Sequence, residues 1–142
     1  IISKIKKFKN NNDQVVFTFD THSEEYMETM EGKNLPVPHC IKGSNGHKLY
    51  GKVANELEGC LSFEKETFGS KELANYLGKN KFDEIVLIGV VTNICVISNA
   101  IILKNALPNA QITVDSSCCA GVTPQLHKSA LDSMASCQIN II

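Results

Sequence analysis

The chain has 142 residues, of which 43% are hydrophobic and 20% are charged, and its formal net charge is −1. This size and composition fit one globular domain and exclude collagen, coiled coil and disorder. All 14 basic residues are lysine, and the near-zero net charge gives no broad electrostatic basis for binding nucleic acid or a membrane.

Strands and helices alternate along the sequence according to its apolar pattern. In chain order, the pattern predicts a helix over residues 1–8, strands over 14–19 and 61–64, a helix over 71–79, a strand over 84–90, a helix over 93–107, a strand over 111–115, a helix over 124–136 and a strand over 138–142. Ser70 and Thr123 are typical helix caps, and Pro124 suits a first helical position. This alternation indicates one α/β domain over residues 1–142, with three layers and a mostly parallel sheet joined by right-handed crossovers.

A long irregular stretch, residues 20–59, separates the first two predicted strands, and loops of this length in compact domains are usually functional or disordered. At its start, Asp20 and His22 are two residues apart in an extended segment, so their side chains point to the same side. His39 returns from the same loop. Two imidazoles and one carboxylate suit zinc, iron or manganese. The alternative is a strand-end aspartate that caps a loop, with two ordinary surface histidines.

Six cysteines occur without regular spacing and without a Cys-x-x-Cys pair. This pattern favours reduced thiols in a cytoplasmic protein over a disulfide framework, with Cys118 and Cys119 as packing residues. Cys95 is distinctive because it falls in the first turn of a helix that follows the buried strand 84–90. The partial positive charge and open N–H groups of a helix N-terminus favour a thiolate and can receive an oxyanion. A buried structural cysteine is the alternative.

Lys65 follows the short strand 61–64 and precedes a helix, where its charge could stabilise a thiolate. The alternative is a solvated surface lysine. The other candidates have weaker signals. His47 is predicted to be a solvated surface group, and His127 a surface or interface group rather than a ligand. Asp115 is predicted to hold the loop after its strand by hydrogen bonds.

Taken together, these segments resemble the isochorismatase-like cysteine hydrolases, and within them the nicotinamidase/pyrazinamidase branch. The motifs that carry the resemblance run through the whole chain and are TFDTH, PVPHCIKGSNG, EKETFGS, IGVVTNICV and DSSCCAGVTPQLHKSALDSM. The resemblance implies a six-stranded parallel sheet with helices on both faces, and amide hydrolysis through a thioester. It also implies a homo-oligomer, since members of the family often form dimers or tetramers.

The resemblance assigns roles residue by residue. Cys95 matches the nucleophile, and Lys65 matches the catalytic lysine. The metal ligands of the nicotinamidase branch match three residues, Asp20, His22 and His39. The bond between Val90 and Val91 matches a non-proline cis peptide, which in the family aims the amides of Val91 and Cys95 at the oxyanion.

The chain departs from the family pattern in three places. Residues 35–38 (LPVP) stand where the branch usually has an aromatic residue, which would stack on a pyridine ring. Asn93 stands where an acidic residue is common. The family also begins with a strand that ends in a catalytic aspartate, and no residue of this sequence matches it. We therefore expect roughly 20–40 further N-terminal residues that carry this strand, given ordinary element lengths.

The leading hypothesis is a metal-dependent cysteine amidohydrolase that converts a small amide, nicotinamide, to nicotinate and ammonia. Zinc is the expected metal, with iron or manganese as alternatives, and in the nicotinamidase branch the metal holds the pyridine nitrogen. The metal triplet separates this branch from isochorismatase-type members, which do not use it. A related hydrolase of a carbamoyl compound, a ureido acid or isochorismate is the second hypothesis, and a non-catalytic binding or assembly module is the third.

Overall fold

The alternation of helices and strands is confirmed by a computed structural model, which describes residues 1–142. The first unit, Ile1–Thr67, contains α1 (Ile2–Asn10), β1 (Val16–Asp20), α2 (Met30–Asn34), α3 (Val53–Glu56) and β2 (Leu61–Lys65). The second unit, Phe68–Ile142, contains α4 (Lys71–Asn80), β3 (Glu84–Val90), α5 (Ile97–Ala106), β4 (Gln111–Ala120), α6 (Pro124–Ser136) and β5 (Asn140–Ile141). None of the helices combines the length and the apolar character that crossing a membrane requires.

In the first unit, β1 and β2 form a two-stranded parallel sheet. The register begins with Val16 opposite Leu61 and ends with Asp20 opposite Lys65. Because parallel strands end at the same edge, this register brings a carboxylate and an ammonium group side by side at the carboxyl ends of both strands.

Backbone hydrogen bonds and short elements structure the long segment between β1 and β2. At a parallel bridge, the N–H of His22 donates to the carbonyl of Cys40 (3.0 Å) and the N–H of Lys42 donates to the carbonyl of His22 (2.9 Å). A Cβ atom on Gly32 in α2 would lie 2.1 Å from the carbonyl oxygen of Tyr26, so this close approach requires glycine. The segment therefore returns to the end of β1 in one defined path.

In the second unit, β3, β4 and β5 form a three-stranded parallel sheet with β4 in the centre. The sequence predicted that the β4 strand ends at Asp115, and this boundary was wrong, because the strand continues to Ala120. The register slips between Leu87 and Gly89, and after this irregularity Cys119 and Ala120 pair with Gly89 and Val90 at the end of β3. The last strand has only two residues, fewer than the predicted 138–142.

Apolar side chains of α4, α5, α6 and β4 are buried in the second unit. They include Leu73, Leu77, Ala100, Leu103, Ile112, Val114, Ala130 and Met134. Both predicted helix caps are confirmed: the side chain of Ser70 accepts from the N–H of Leu73 (3.1 Å), and that of Thr123 accepts from the N–H of Leu126 (3.2 Å). The caps set where α4 and α6 begin.

Replacing a buried leucine of this core should cost far more stability than replacing an exposed one. Leu103 is 1% exposed, so Leu103→Ala should lower the free energy of unfolding by about 2–5 kcal/mol. Leu126 is 44% exposed, and Leu126→Ala is the matched control with a small expected change. Urea denaturation followed by circular dichroism measures both, and equal losses would contradict this core assignment.

Candidate active site

Three side chains of the first unit that could ligate a metal ion meet in one place: His22, Glu31 and His39 each offer a ligand atom, and these atoms lie within 4.8 Å of one another. The Nε2 atoms of the two histidines lie 3.8 Å and 3.7 Å, respectively, from the same carboxylate oxygen, Oε1 of Glu31. His22 follows β1, Glu31 lies in α2, and His39 precedes the returning bridge. Three residues from the first half of the long segment thus surround one point.

Tyr26 packs against both imidazoles of this cluster. Its ring centroid lies 4.8 Å from that of His22 and 5.0 Å from that of His39, and its hydroxyl donates to the carbonyl of Leu35 at 3.0 Å. Burial, and then the charge of Glu31, raise the pKa of Tyr26, so its hydroxyl stays protonated and keeps this hydrogen bond at neutral pH. Tyr26 therefore fixes the orientation of the rings without acting as an anion.

The cluster fits a divalent cation. Nδ1 of His39 lies 2.8 Å from the carbonyl of Val37, and a carbonyl only accepts, so Nδ1 carries the proton and the Nε2 lone pair faces Glu31. Nε2 of His22 and Oε2 of Glu31 are buried and have no hydrogen-bond partner. Two imidazole nitrogens and a carboxylate suit zinc, iron or manganese, and a bound cation would satisfy both buried atoms.

Asp20, which the resemblance predicts to be a metal ligand, is not among the three clustered groups. Its carboxylate instead forms an ion pair with the ammonium of Lys65, the residue opposite it in the sheet register. Glu31 was missed at the sequence level, because it is one of several acids in an irregular stretch and only the fold selects it. The ligand role of Asp20 stays a prediction.

Lys65 is buried, with 5% of its surface exposed, so the alternative of a solvated surface lysine is wrong. Its ammonium donates to the carboxylate of Asp20 and to the carbonyl of Thr67, the latter at 3.2 Å. A buried cation requires such a charged partner, since its desolvation would otherwise be very costly. The ion pair therefore holds the ammonium in place at the end of β2.

His47 is also not the surface group that the sequence predicted. Its Nε2 lies 2.8 Å from the hydroxyl of the buried Thr21, and its ring packs 5.1 Å from that of Phe19. His47 thus supports the strand end from which Asp20 and His22 project.

In the second unit, Cys95 lies in a single π-helical turn, Thr92–Val96, that leads from β3 into α5. The carbonyl of Val91 accepts from the N–H groups of Ile94 (3.0 Å) and Val96 (3.1 Å), which closes this turn. The predicted strand–turn–helix context of Cys95 is therefore present. The Val90–Val91 peptide bond is cis, the geometry that the resemblance implied at this position.

Asn99 holds the turn from the side of α5. Its amide nitrogen donates to the carbonyl of Cys95 (2.8 Å) and to that of Phe68 (3.2 Å), and its amide oxygen accepts from the N–H of Ser70 (3.0 Å). One buried amide thereby links the backbone of the predicted nucleophile to the start of α4. Nothing in the sequence alone singled out this asparagine.

The start of the turn is held by the segment that leads into α6. The hydroxyl of Thr92 lies 2.8 Å from Nδ1 of His127, and the side-chain oxygen of Asn93 accepts from the N–H of Val122 at 3.0 Å. His127 is half-buried and bonds across to another element, which agrees with the predicted surface or interface position.

Cys119 pairs in β4 with Gly89 of β3 and is half-buried. Burial, and to a smaller degree the neighbouring Cys118 and Asp115, raise the pKa of Cys119, against the lowering effect of a hydrogen bond with the Gly89 backbone. Its thiol therefore stays protonated at neutral pH, which agrees with the predicted packing role.

A match to the Isochorismatase domain covers residues 1–142. The chain belongs to the isochorismatase family. The mixed α/β structure with parallel sheets agrees with the fold of this family's hydrolases, and the family that the sequence motifs predicted is confirmed.

Within the isochorismatase family, several known proteins are similar to this chain. The uncharacterized isochorismatase family protein PncA of Bacillus subtilis is 31% identical over 144 residues, covering 95% of this chain and 77% of that protein. The pyrazinamidase/nicotinamidase of Streptococcus mutans UA159 has a TM-score of 0.88 at 30% identity, covering 100% of this chain and 82% of that one. The nicotinamidase/pyrazinamidase PncA of Bacillus subtilis has a TM-score of 0.87 at 27% identity, covering 99% and 81%. These similarities support the predicted branch.

Removing the carboxylate from the metal cluster should weaken metal binding. Glu31→Gln should lower zinc affinity at least about tenfold, because it removes the charge that faces both imidazoles. Competition with a chelating dye measures the affinity, and Glu28→Gln is the control, since Glu28 is exposed and lies on the same segment.

Wild-type affinity in Glu31→Gln would contradict the assignment of Glu31. Asp20→Asn, measured in parallel, tests the predicted ligand role of Asp20. A loss equal to that of Glu31→Gln would make Asp20 a further ligand, and an unchanged affinity would leave it only as the partner of Lys65.

Proposed function

We propose that this isochorismatase-family hydrolase is a metal-dependent cysteine amidohydrolase that converts nicotinamide to nicotinate and ammonia. The cluster of His22, Glu31 and His39 carries the proposal, because its buried, partnerless nitrogen and oxygen atoms call for a cation and the nicotinamidase branch is the one that uses a metal. The 30% identity to a Streptococcus mutans protein described as a pyrazinamidase/nicotinamidase supports an aromatic amide as the substrate.

Cys95 is the proposed nucleophile. Its sulfur attacks the amide carbonyl carbon, the C–N bond breaks, ammonia leaves with the thiol proton, and the acyl group stays on sulfur as a thioester. Water then attacks the thioester carbon, which releases nicotinate and restores the thiol. Cys95 lies in the turn between β3 and α5, and the partial positive charge of a helix start can stabilise the negative charge that develops on the substrate oxygen during the attack.

Lys65 is the proposed catalytic lysine. Its ammonium, held by the carboxylate of Asp20, supplies a fixed positive charge that stabilises a thiolate and the negative charge that develops on the substrate. While protonated, it cannot accept the thiol proton. The proposed proton carrier is instead the aspartate that the family places at the end of its first strand.

The metal's proposed task is to orient the substrate. His22, Glu31 and His39 would hold zinc, or alternatively iron or manganese, and the bound ion supplies a Lewis-acidic point for a ring nitrogen or another lone pair. Tyr26 keeps the two imidazoles aligned, and the hydrogen bond from His39 to Val37 keeps its tautomer.

A second candidate function is the hydrolysis of a non-aromatic amide, such as a carbamoyl or ureido compound. One observation favours it: the segment 35–38 (LPVP) is aliphatic where the branch usually has a stacking aromatic residue. Leu35 and Val37 are exposed and offer apolar contact, but no ring on which a pyridine could stack.

Ammonia release from a panel of amides tests the proposal. The zinc-loaded protein should release ammonia from nicotinamide faster than from carbamoyl and ureido compounds. Cys95→Ser and Cys95→Ala should each lower the rate at least about 1,000-fold, because they remove the nucleophile. A chelator should abolish the activity, and zinc should restore it.

Cys137→Ala is the matched control, since Cys137 is an exposed cysteine that follows α6, and it should keep full activity. Full activity in Cys95→Ala would overturn the nucleophile assignment. Activity confined to carbamoyl or ureido compounds would favour the second candidate function, and a folded, zinc-loaded protein without any activity would favour a non-catalytic role.

A further inference from the structure

The first residue of the turn that contains Cys95 has one side-chain partner, and it comes from a distant helix. Thr92 is 0% exposed, and its hydroxyl lies 2.8 Å from Nδ1 of His127 in α6. The side chain of Thr92 is therefore shielded from solvent while the imidazole is in place, and the imidazole is its hydrogen-bond partner there. The sequence separation of 35 residues means that the fold, and not local structure, creates this contact.

Close packing fixes the position of His127. A Cβ atom on Gly121 would lie 2.7 Å from Cβ of His127 and 2.8 Å from its Cα, so the chain before α6 passes directly against this histidine. One residue later, the N–H of Val122 donates to the side chain of Asn93 at 3.0 Å. The segment 121–127 thus contacts two consecutive residues of the turn, Thr92 and Asn93.

The turn is therefore held at both ends. Asn99 bonds the carbonyl of Cys95 from the side of α5, and His127 bonds Thr92 at the beginning. The carbonyl of Val91 accepts from two N–H groups within the turn, so a shift of Thr92 would be transmitted to the backbone that carries Cys95. The bond from Asn99 alone does not restrain the beginning of the turn.

We propose that His127 is a positioning residue for the nucleophile: through Thr92 it fixes the turn that presents the Cys95 sulfur. This inference rests on the proposed role of Cys95. A hydroxyl both donates and accepts, so Thr92 serves either tautomer of the imidazole. Small displacements of a reacting group reduce rates strongly, so a loose turn should slow the attack of Cys95 without unfolding the protein.

The test compares the reactivity of Cys95 with that of Cys137 in the folded, full-length chain. Iodoacetamide labelling followed by peptide mass mapping gives both rates in one sample, with the exposed Cys137 as internal reference. His127→Ala and Thr92→Val should each slow the labelling of Cys95 about tenfold relative to Cys137, in the range expected for a misplaced reacting group. His127→Asn, which places an amide near the former Nδ1 position, and Thr92→Ser should restore most of the rate.

Lys128→Ala is the matched control, since Lys128 is the exposed neighbour of His127 on the same helix, and it should leave the labelling ratio unchanged. If His127→Ala does not fold, the proposal is tested by comparing the labelling rate of Cys95 in Thr92→Val with that in Thr92→Ser. Wild-type reactivity of Cys95 in folded His127→Ala and Thr92→Val would overturn the proposal, as would equal losses in Thr92→Ser and Thr92→Val.

Labelling needs no substrate, so it separates this inference from the proposed amide. If Cys95 reacts faster than Cys137 and depends on His127, but nicotinamide is not hydrolysed, the choice of substrate fails and the positioning role stands. A wild-type Cys95 that reacts no faster than Cys137 would overturn both the nucleophile and its positioning residue.

Discussion

The first unit contains two buried polar atoms without hydrogen-bond partners, Nε2 of His22 and Oε2 of Glu31, and these atoms need a partner. A buried unsatisfied group costs about 1–3 kcal/mol, and more when it is charged. The fold nevertheless aims both at one point, with the imidazole of His39 beside them. Such an arrangement is explained by a cation that satisfies all three groups, and the long segment between β1 and β2 is built to hold them: a parallel bridge anchors His22, and the close approach at Gly32 seats α2.

The second unit treats its buried polar groups differently. Asn99 uses both ends of its amide, and the hydroxyl of Thr92 has its imidazole partner. Side chains whose hydrogen bonds are complete add rigidity and do not offer a binding site. In the proposed function, the first unit binds the cation, and the second unit holds the proposed nucleophile, Cys95, in a fixed turn. The first unit also contains a buried charge that has its partner: the carboxylate of Asp20 compensates the charge of the buried Lys65 ammonium.

Most of the fold could be predicted from the sequence because it follows from local rules. The apolar run of β3 and the caps at Ser70 and Thr123 act over a few residues, and their predicted elements are present. The end of β4 could not be predicted, because the polar residues after Asp115 look like a loop, and only a register slip brings Cys119 and Ala120 opposite the end of β3. Pairing of this kind depends on a neighbouring strand and leaves no mark in the local pattern.

The candidate site residues also differ in whether the local sequence indicates them. Cys95 could be singled out as a candidate because a strand, a turn and a helix start leave a local signal, and His22 and His39 because motif and residue type agree. Their roles stay predictions. Glu31 and His127 were not identifiable, since an acid among other acids and a histidine on a polar helix have ordinary surface chemistry until the fold supplies a partner. Long-range contacts select them, and a single sequence does not contain that information.

The central claim is that hydrolysis passes through a thioester on the cysteine that the turn after β3 presents. The most direct test is the partition of the acyl group between water and added hydroxylamine, measured with the zinc-loaded protein for nicotinamide and for methyl nicotinate. A common thioester predicts the same ratio of nicotinohydroxamate to nicotinate from both compounds, because the leaving group has departed before the acyl group is divided. A ratio that depends on the leaving group would contradict the account.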